Sequence, residues 1–168
     1  SSDVCSSDLL RNTHKNIVVV QTMSKAWGLA GARVGMLFGP EELVKAMNKV
    51  KHPYNINCLS QRVALKRLSE VEKVAAQVEI IKSERARVAA ALAALPIVRE
   101  VVPSDANFHL VRFVDGNAVF DYLCSKGVIT RNRGRERGCE NCLRITVGTP
   151  DENNILLGML RALSAEVG

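Results

Sequence analysis

The apolar positions of the chain change period several times, and each change marks an element. Asn16-Ile17-Val18-Val19-Val20 is a short β-branched run with the texture of a fully buried strand. Val34-Gly35-Met36-Leu37-Phe38-Gly39 reads as a second buried strand. Pro40 then suits the first turn of a helix with Glu41 and Glu42 near its positive end and Leu43, Met47 and Val50 on one face. Pro53 stops that helix. Ser69-x-x-Glu72 has the form of a capping box. Beyond it Val71, Val74, Val78, Ile81, Val88, Leu92 and Leu95 recur at spacings of three and four, or seven across Arg85. They predict one long amphipathic helix ended by Pro96. A helix of that length, about 40 Å at 1.5 Å per residue, crosses between lobes or forms the spine of a domain.

The remainder reads as a small α/β unit. Residues 97–102 and 107–113 predict strands, and residues 117–126 a helix closed by Gly127. Residues 128–131 and 143–147 predict two more short strands. Pro150, with Asp151 and Glu152, opens a last helix whose apolar face includes Ile155, Met159 and Leu163. The first ten residues nearly repeat a five-residue unit without helical or strand periodicity, and are expected to be a non-native scar. Natural sequence upstream of residue 16 is then expected to be missing.

Composition narrows the classes. At 47% hydrophobic and 24% charged, the chain has the mixture of a soluble globular protein and not of a disordered one. No apolar run approaches the ~18 residues of a membrane span, and no basic-then-apolar leader is visible. A cytoplasmic protein with no membrane partner is expected. The five cysteines are odd in number and scattered, which suits reduced thiols better than a disulfide framework. Cys139-Glu140-Asn141-Cys142 has C-x-x-C spacing but lacks a second ligand pair, so no metal is expected. The net charge of +6 raises nucleic acid as a partner. Much of that excess lies in Arg131-Asn132-Arg133-Gly134-Arg135-Glu136-Arg137, where no aromatic residue offers a stacking platform. Arg133, Arg135 and Arg137 therefore read as a solvated basic loop, and no nucleic-acid partner is expected.

The chemistry concentrates in TMSKAWGLAGARVG, residues 22–35, just past the first strand. Ligands of open α/β sheets bind at that edge. Lysine becomes a catalyst when its amine forms a Schiff base with a carbonyl, notably that of pyridoxal phosphate. The phosphate of such a cofactor wants hydroxyls, backbone N–H groups and a fixed guanidinium, which Thr22, Ser24 and Arg33 can supply around Lys25. A lysine after a strand is also commonly only solvated, and spacing alone leaves both readings open.

Ser24-Lys25-Ala26-Trp27-Gly28-Leu29-Ala30-Gly31-Ala32-Arg33-Val34-Gly35 resembles the cofactor-lysine signature of the fold-type I aminotransferases, closely that of histidinol-phosphate aminotransferases. The similarity continues through Pro53-Tyr54, Ser104-Asp105-Ala106-Asn107-Phe108, Gly127-Val128-Ile129 followed by Arg131, and Cys142-Leu143-Arg144-Ile145-Thr146-Val147-Gly148-Thr149. It covers nearly everything from Asn16 onward. The fold it implies is an α/β pyridoxal-phosphate transferase of fold type I. Residues 1–15 would be scar and junction, 16–52 a remnant of the large cofactor-binding domain, and 53–168 linking helices with the small C-terminal domain.

The resemblance further implies that Lys25 is the Schiff-base lysine, that Ser24 and Arg33 hold the phosphate of pyridoxal 5'-phosphate, and that Arg144, assisted by Arg131, binds the substrate's acidic group. That group would be the carboxylate of glutamate in one half-reaction and the phosphate of histidinol phosphate in the other. A homodimer acting on a small-molecule substrate is expected. Relatives carry upstream an Asp for the pyridine nitrogen and an Asn and a Tyr for the ring oxygen, so this chain is expected to be catalytically incomplete. His109 stands where relatives tend to carry an aliphatic residue and reads as a packing variant. Threonine-phosphate decarboxylase is the alternative within the family. A non-catalytic basic binding domain is the alternative from another class, marked by salt-dependent RNA binding without a spectral response to pyridoxal phosphate.

Overall fold

The computed structural model describes residue 10 and residues 13–167, and the predicted scar lies almost wholly outside them. The chain divides into two compact units, one reaching Ala75 and the other beginning at Ala76. In the first, β1 (Val19–Thr22) pairs antiparallel with β2 (Gly35–Phe38), Val19 opposite Phe38 and Thr22 opposite Gly35. The strand starts later than the apolar run suggests, and it is not buried on both faces. Val19 is buried whereas Val20 is 73% exposed. A two-stranded ribbon shows alternate side chains to opposite faces, and in β1 only Val19 is buried.

Helix α1 (Glu41–Val50) follows Pro40 and carries Glu41 and Glu42 in its first turn, as expected from the favourable field there. Its apolar face, Leu43, Met47 and Val50, is exposed. Helix α2 (Cys58–Leu68), which the apolar spacing did not announce, begins where the Asn57 side chain accepts from the Ser60 N–H at 2.9 Å. Its Arg67 donates from Nε to the Trp27 carbonyl at 2.9 Å, tying α2 to the turn after β1.

The long helix is α3 (Val71–Ala93). Its predicted capping box does not form. Ser69 caps the end of α2 instead, its hydroxyl donating to the Lys66 carbonyl at 2.7 Å, because α2 stops immediately before α3 starts.

The second unit is a four-stranded antiparallel sheet of order β3–β4–β6–β5, with β3 at Val98–Val102, β4 at Phe108–Phe113, β5 at Arg131–Asn132 and β6 at Cys142–Thr146. Helix α4 (Gly116–Ser125) opens on Asp115, whose carboxylate accepts from the Asn117 and Ala118 N–H groups. It closes at Gly127, whose φ of +80° suits the left-handed turn that glycine adopts at least cost. Strand β5 is shorter than predicted, since residues 128–130 make no ladder.

Helix α5 (Pro150–Val167) opens on a capping box that does form. Glu152 accepts from the Thr149 N–H at 2.8 Å while the Thr149 hydroxyl accepts from the Glu152 N–H at 3.3 Å. The core-facing stripe of α5 is Leu156, Leu157 and Leu160, rotated from the predicted one, and Ile155 is exposed. These residues meet Val88 and Leu92 of α3, Val111 and Phe113 of β4, and Leu143 and Ile145 of β6 in one buried cluster.

Candidate active site

Six residues were singled out by sequence, and the structure places them in two groups. In the first unit, β1 ends at Thr22, and Met23, 1% exposed, anchors the turn that follows. The Met23 N–H donates to the Val34 carbonyl and the Leu29 N–H to the Met23 carbonyl, so the segment folds back on itself. Lys25 then stands exposed three residues beyond β1, its carbonyl accepting from the Gly28 N–H at 2.8 Å. Gly28, at φ +68°, makes that tight turn possible.

Thr22 and Ser24 lie together. The Thr22 hydroxyl donates to the Ser24 oxygen at 2.8 Å and accepts from the Ser24 N–H at 3.1 Å. Because Ser24 Oγ is the acceptor in that pair, its own hydrogen remains to be donated outward. Arg33 has a left-handed backbone, φ +55°, unusual for a residue with a side chain. One of its terminal nitrogens donates to the Ala30 carbonyl at 3.3 Å, leaving the other donors of the fork available. An exposed amine, a hydroxyl oriented one residue before it and a part-anchored guanidinium eight residues after it are the donor types that suit an aldehyde cofactor bearing a phosphate.

In the second unit, Arg131 of β5 is the direct cross-strand partner of Arg144 on β6. The Arg144 guanidinium carbon lies 5.2 Å from the centre of the Phe108 ring. A cavity of about 590 Å³ is lined by both arginines with Phe120, Thr130, Asn132 and Thr146. Among the described residues neither arginine forms an ion pair. Arg112 differs, because its guanidinium donates to the Glu140 and Gly138 carbonyls and lies 3.4 Å from Glu100. Two like charges directly opposite on neighbouring strands are unfavourable alone, and an anion between them reverses the sign.

Sequence reasoning missed Glu84 and Asn153. Glu84, 8% exposed, accepts from Arg87 Nε and Nη2 at 2.8 and 2.6 Å and from Asn153 Nδ2 at 2.7 Å. The Arg87 hydrogen bonds, then that of Asn153, hold its carboxyl down at about 2 against the opposing effect of burial. The signal was present, since Glu84 fills the seven-residue gap in the apolar stripe between Ile81 and Val88.

His109 is 2% exposed, and Nε2 lies 3.1 Å from the Arg85 carbonyl, to which the neutral ring donates. Desolvation pushes its pKa down, and Nδ1 has no partner. Of the C-x-x-C pair, Cys139 is half-buried and Cys142 fully buried, and burial pushes the Cys142 thiol up. No group of three or more metal-ligating side chains occurs among the described residues. No described helix is long and apolar enough to cross a membrane.

The family model described as aminotransferase class I and II matches residues 4–160. The chain belongs to the class I and II aminotransferases. This is a family of pyridoxal-phosphate enzymes, and the α/β architecture is that of its fold type I. The histidinol-phosphate aminotransferase of Parabacteroides distasonis is 44% identical over 146 residues, which is 87% of this chain and 42% of that protein. That of Cytophaga hutchinsonii is 47% identical over 152 residues, 90% of this chain and 44% of that protein. The chain therefore spans less than half the length of these aminotransferases. The crystal structure of the histidinol-phosphate aminotransferase from Sinorhizobium meliloti in complex with pyridoxal-5'-phosphate aligns at a TM-score of 0.77 and 23% identity, over 92% of this chain and 42% of that one. That likeness speaks for the fold.

Proposed function

We propose that this chain is the C-terminal part of an aminotransferase that converts histidinol phosphate and 2-oxoglutarate into imidazole-acetol phosphate and glutamate, a step of histidine biosynthesis. In this reading residues 16–52 belong to the large cofactor-binding domain, and residues 53–168 form linking helices and the small domain. The protein acts in the cytoplasm as a homodimer, on a small molecule and not on nucleic acid or membrane. The names of the relatives support the reaction. The observation that carries the substrate class is the facing pair Arg131 and Arg144, without a carboxylate partner among the described residues, beside a cavity.

When bound, pyridoxal phosphate supplies an electrophilic aldehyde and an electron-withdrawing ring. Lys25 offers the amine for that aldehyde, and when free the same amine takes the proton from the substrate Cα. Ser24 donates its hydroxyl hydrogen to the cofactor phosphate, Thr22 fixes the direction of that hydroxyl, and Arg33 adds its free guanidinium donors. Arg144 and Arg131 hold the acidic end of the substrate.

Charge-assisted hydrogen bonds are worth about 1.5 to 3 kcal/mol each, and ammonium replaces a guanidinium fork poorly. In the chain extended to the length of its relatives, Arg144→Lys lowers kcat/KM of both half-reactions by roughly tenfold to a hundredfold. Arg131→Lys impairs turnover of histidinol phosphate more than that of glutamate. Single-turnover kinetics of each half-reaction measure this, and equal, small losses in both variants refute the phosphate-bearing substrate.

A further inference from the structure

We propose that Glu84 is a positioning residue for Arg144, acting through Asn153 and Gly148 to fix where β6 leaves the sheet. The inference rests on Arg144 being the group that holds the substrate's anion. Its basis is a buried relay. Asn153, 1% exposed, accepts from the Gly148 N–H at 2.9 Å and donates from Nδ2 to the Gly148 carbonyl at 3.0 Å and to Glu84 at 2.7 Å. Both hydrogens of the amide are thus used. Glu84 is itself oriented by the two-point contact with Arg87.

Gly148 follows Thr146, the last residue of β6, by two positions, and Thr146 lines the same cavity as Arg144. The opposite side of Gly148 is closed as well. A Cβ there would stand 2.6 Å from a Glu152 carboxylate oxygen, the atom already engaged by the Thr149 N–H and hydroxyl.

At its exit β6 is laddered on one side only: β5 pairs with it no further than Arg144, while on the other side Phe108 of β4 faces Thr146 and the Val147 N–H donates to the Asn107 carbonyl at 2.9 Å. The packing of α5 does not need a carboxylate, because Leu156, Leu157 and Leu160 already fill the core. Burying a charge where apolar groups would hold the helix is costly. Held geometry at the strand exit is what the relay adds, and an anion gripped by a guanidinium fork is sensitive to displacements of about 1 Å.

Inorganic phosphate, titrated into the ¹⁵N-labelled chain, tests the proposal through the Arg144 side-chain Nε–H signal, assigned by its loss in Arg144→Lys. The expected result is a phosphate-dependent shift in the parent and about tenfold weaker affinity in Glu84→Gln, with slow Val111 amide exchange preserved. Asn153→Ala removes the donor while leaving Glu84 and Arg87 paired, and decides the matter if Glu84→Gln loses the fold. Unchanged phosphate affinity in variants whose Gly148 amide exchanges faster overturns the positioning role and leaves the anion site standing. Absence of any shift at Arg144 in the parent overturns the anion reading and this inference with it.

Discussion

The two units use their apolar residues in opposite ways. From Ala76 onward, the leucines and valines that define helix and strand faces meet in a single cluster, with Leu92, Leu123, Leu143 and Leu160 fully buried. Up to Ala75, the corresponding faces stand open, with Val50 at 80% and Tyr54 at 87% exposed. An amphipathic stripe therefore reports a face suited to burial, and not burial within the chain that carries it. Lys25, proposed as the cofactor lysine, belongs to the open unit, and Arg131 and Arg144, proposed to hold the substrate's anion, to the closed one.

Truncation is the strongest way to break this contrast. Leu157→Ala or Phe113→Ala removes a fully buried side chain and is expected to cost about 2–5 kcal/mol. Val20→Ala, on the open face of β1, is expected to change stability by under about 0.5 kcal/mol. Denaturant unfolding measures both, and similar losses at the two sites would erase the distinction between the units.

Caps give a smaller effect and sharpen the same contrast. Thr149→Ala removes a formed capping box from the closed unit and is expected to cost about 1 kcal/mol. Ser69→Ala removes only a hydroxyl bond at a helix end and is expected to cost less than half of that. A larger loss at Ser69 would mean that the box predicted there forms in solution.

Near neutrality the smallest effect comes from His109. Burial holds its pKa below the ordinary 6.5, so the unfolded chain binds the proton first. Its contribution is complete above that value and is lost as pH falls through and below it. Glu84, lowered to about 2 from 4.5, adds stability above 4.5 that disappears as pH falls toward 2. Denaturation midpoints at pH 7.5 and 5.5, chosen as test conditions about one unit either side of 6.5, are expected to differ in the parent and to differ less in His109→Leu. An equal slope in both assigns the pH dependence elsewhere.

Local signals were legible where a side chain acts within its own segment. The break at Pro40, the glycine stop at Gly127 and the start at Pro150 all lie within a residue or so of the observed boundaries. Signals that depend on a neighbour were not. Ser69 and Thr149 offer the same S/T-x-x-E pattern, yet only Thr149 caps the helix after it, because Ser69 is taken by the helix before it. The stripe of α5 was rotated because Ile155 and Leu156 are equally apolar and only the facing sheet decides between them.

At the site, residue types and spacing leave Lys25 either a Schiff-base amine or a solvated side chain, and the resemblance to the aminotransferase signature is what singles out Lys25, Ser24 and Arg33. The cross-strand register that sets Arg131 against Arg144 could not be read in the same way, nor could the left-handed backbone of Arg33. Glu84 was hidden because helical periodicity treats a carboxylate on the apolar stripe as a gap, and its partner Asn153 lies far along the chain.

The most direct test of the central claim is reductive trapping. The chain is incubated with pyridoxal phosphate, reduced with borohydride, digested and mapped. The account predicts that the pyridoxyl group is found predominantly on Lys25, the exposed lysine of the turn that follows β1, and that Arg33→Ala lowers that yield without changing the labelling of other lysines. A label spread evenly over the exposed lysines, or concentrated on another one, would contradict it.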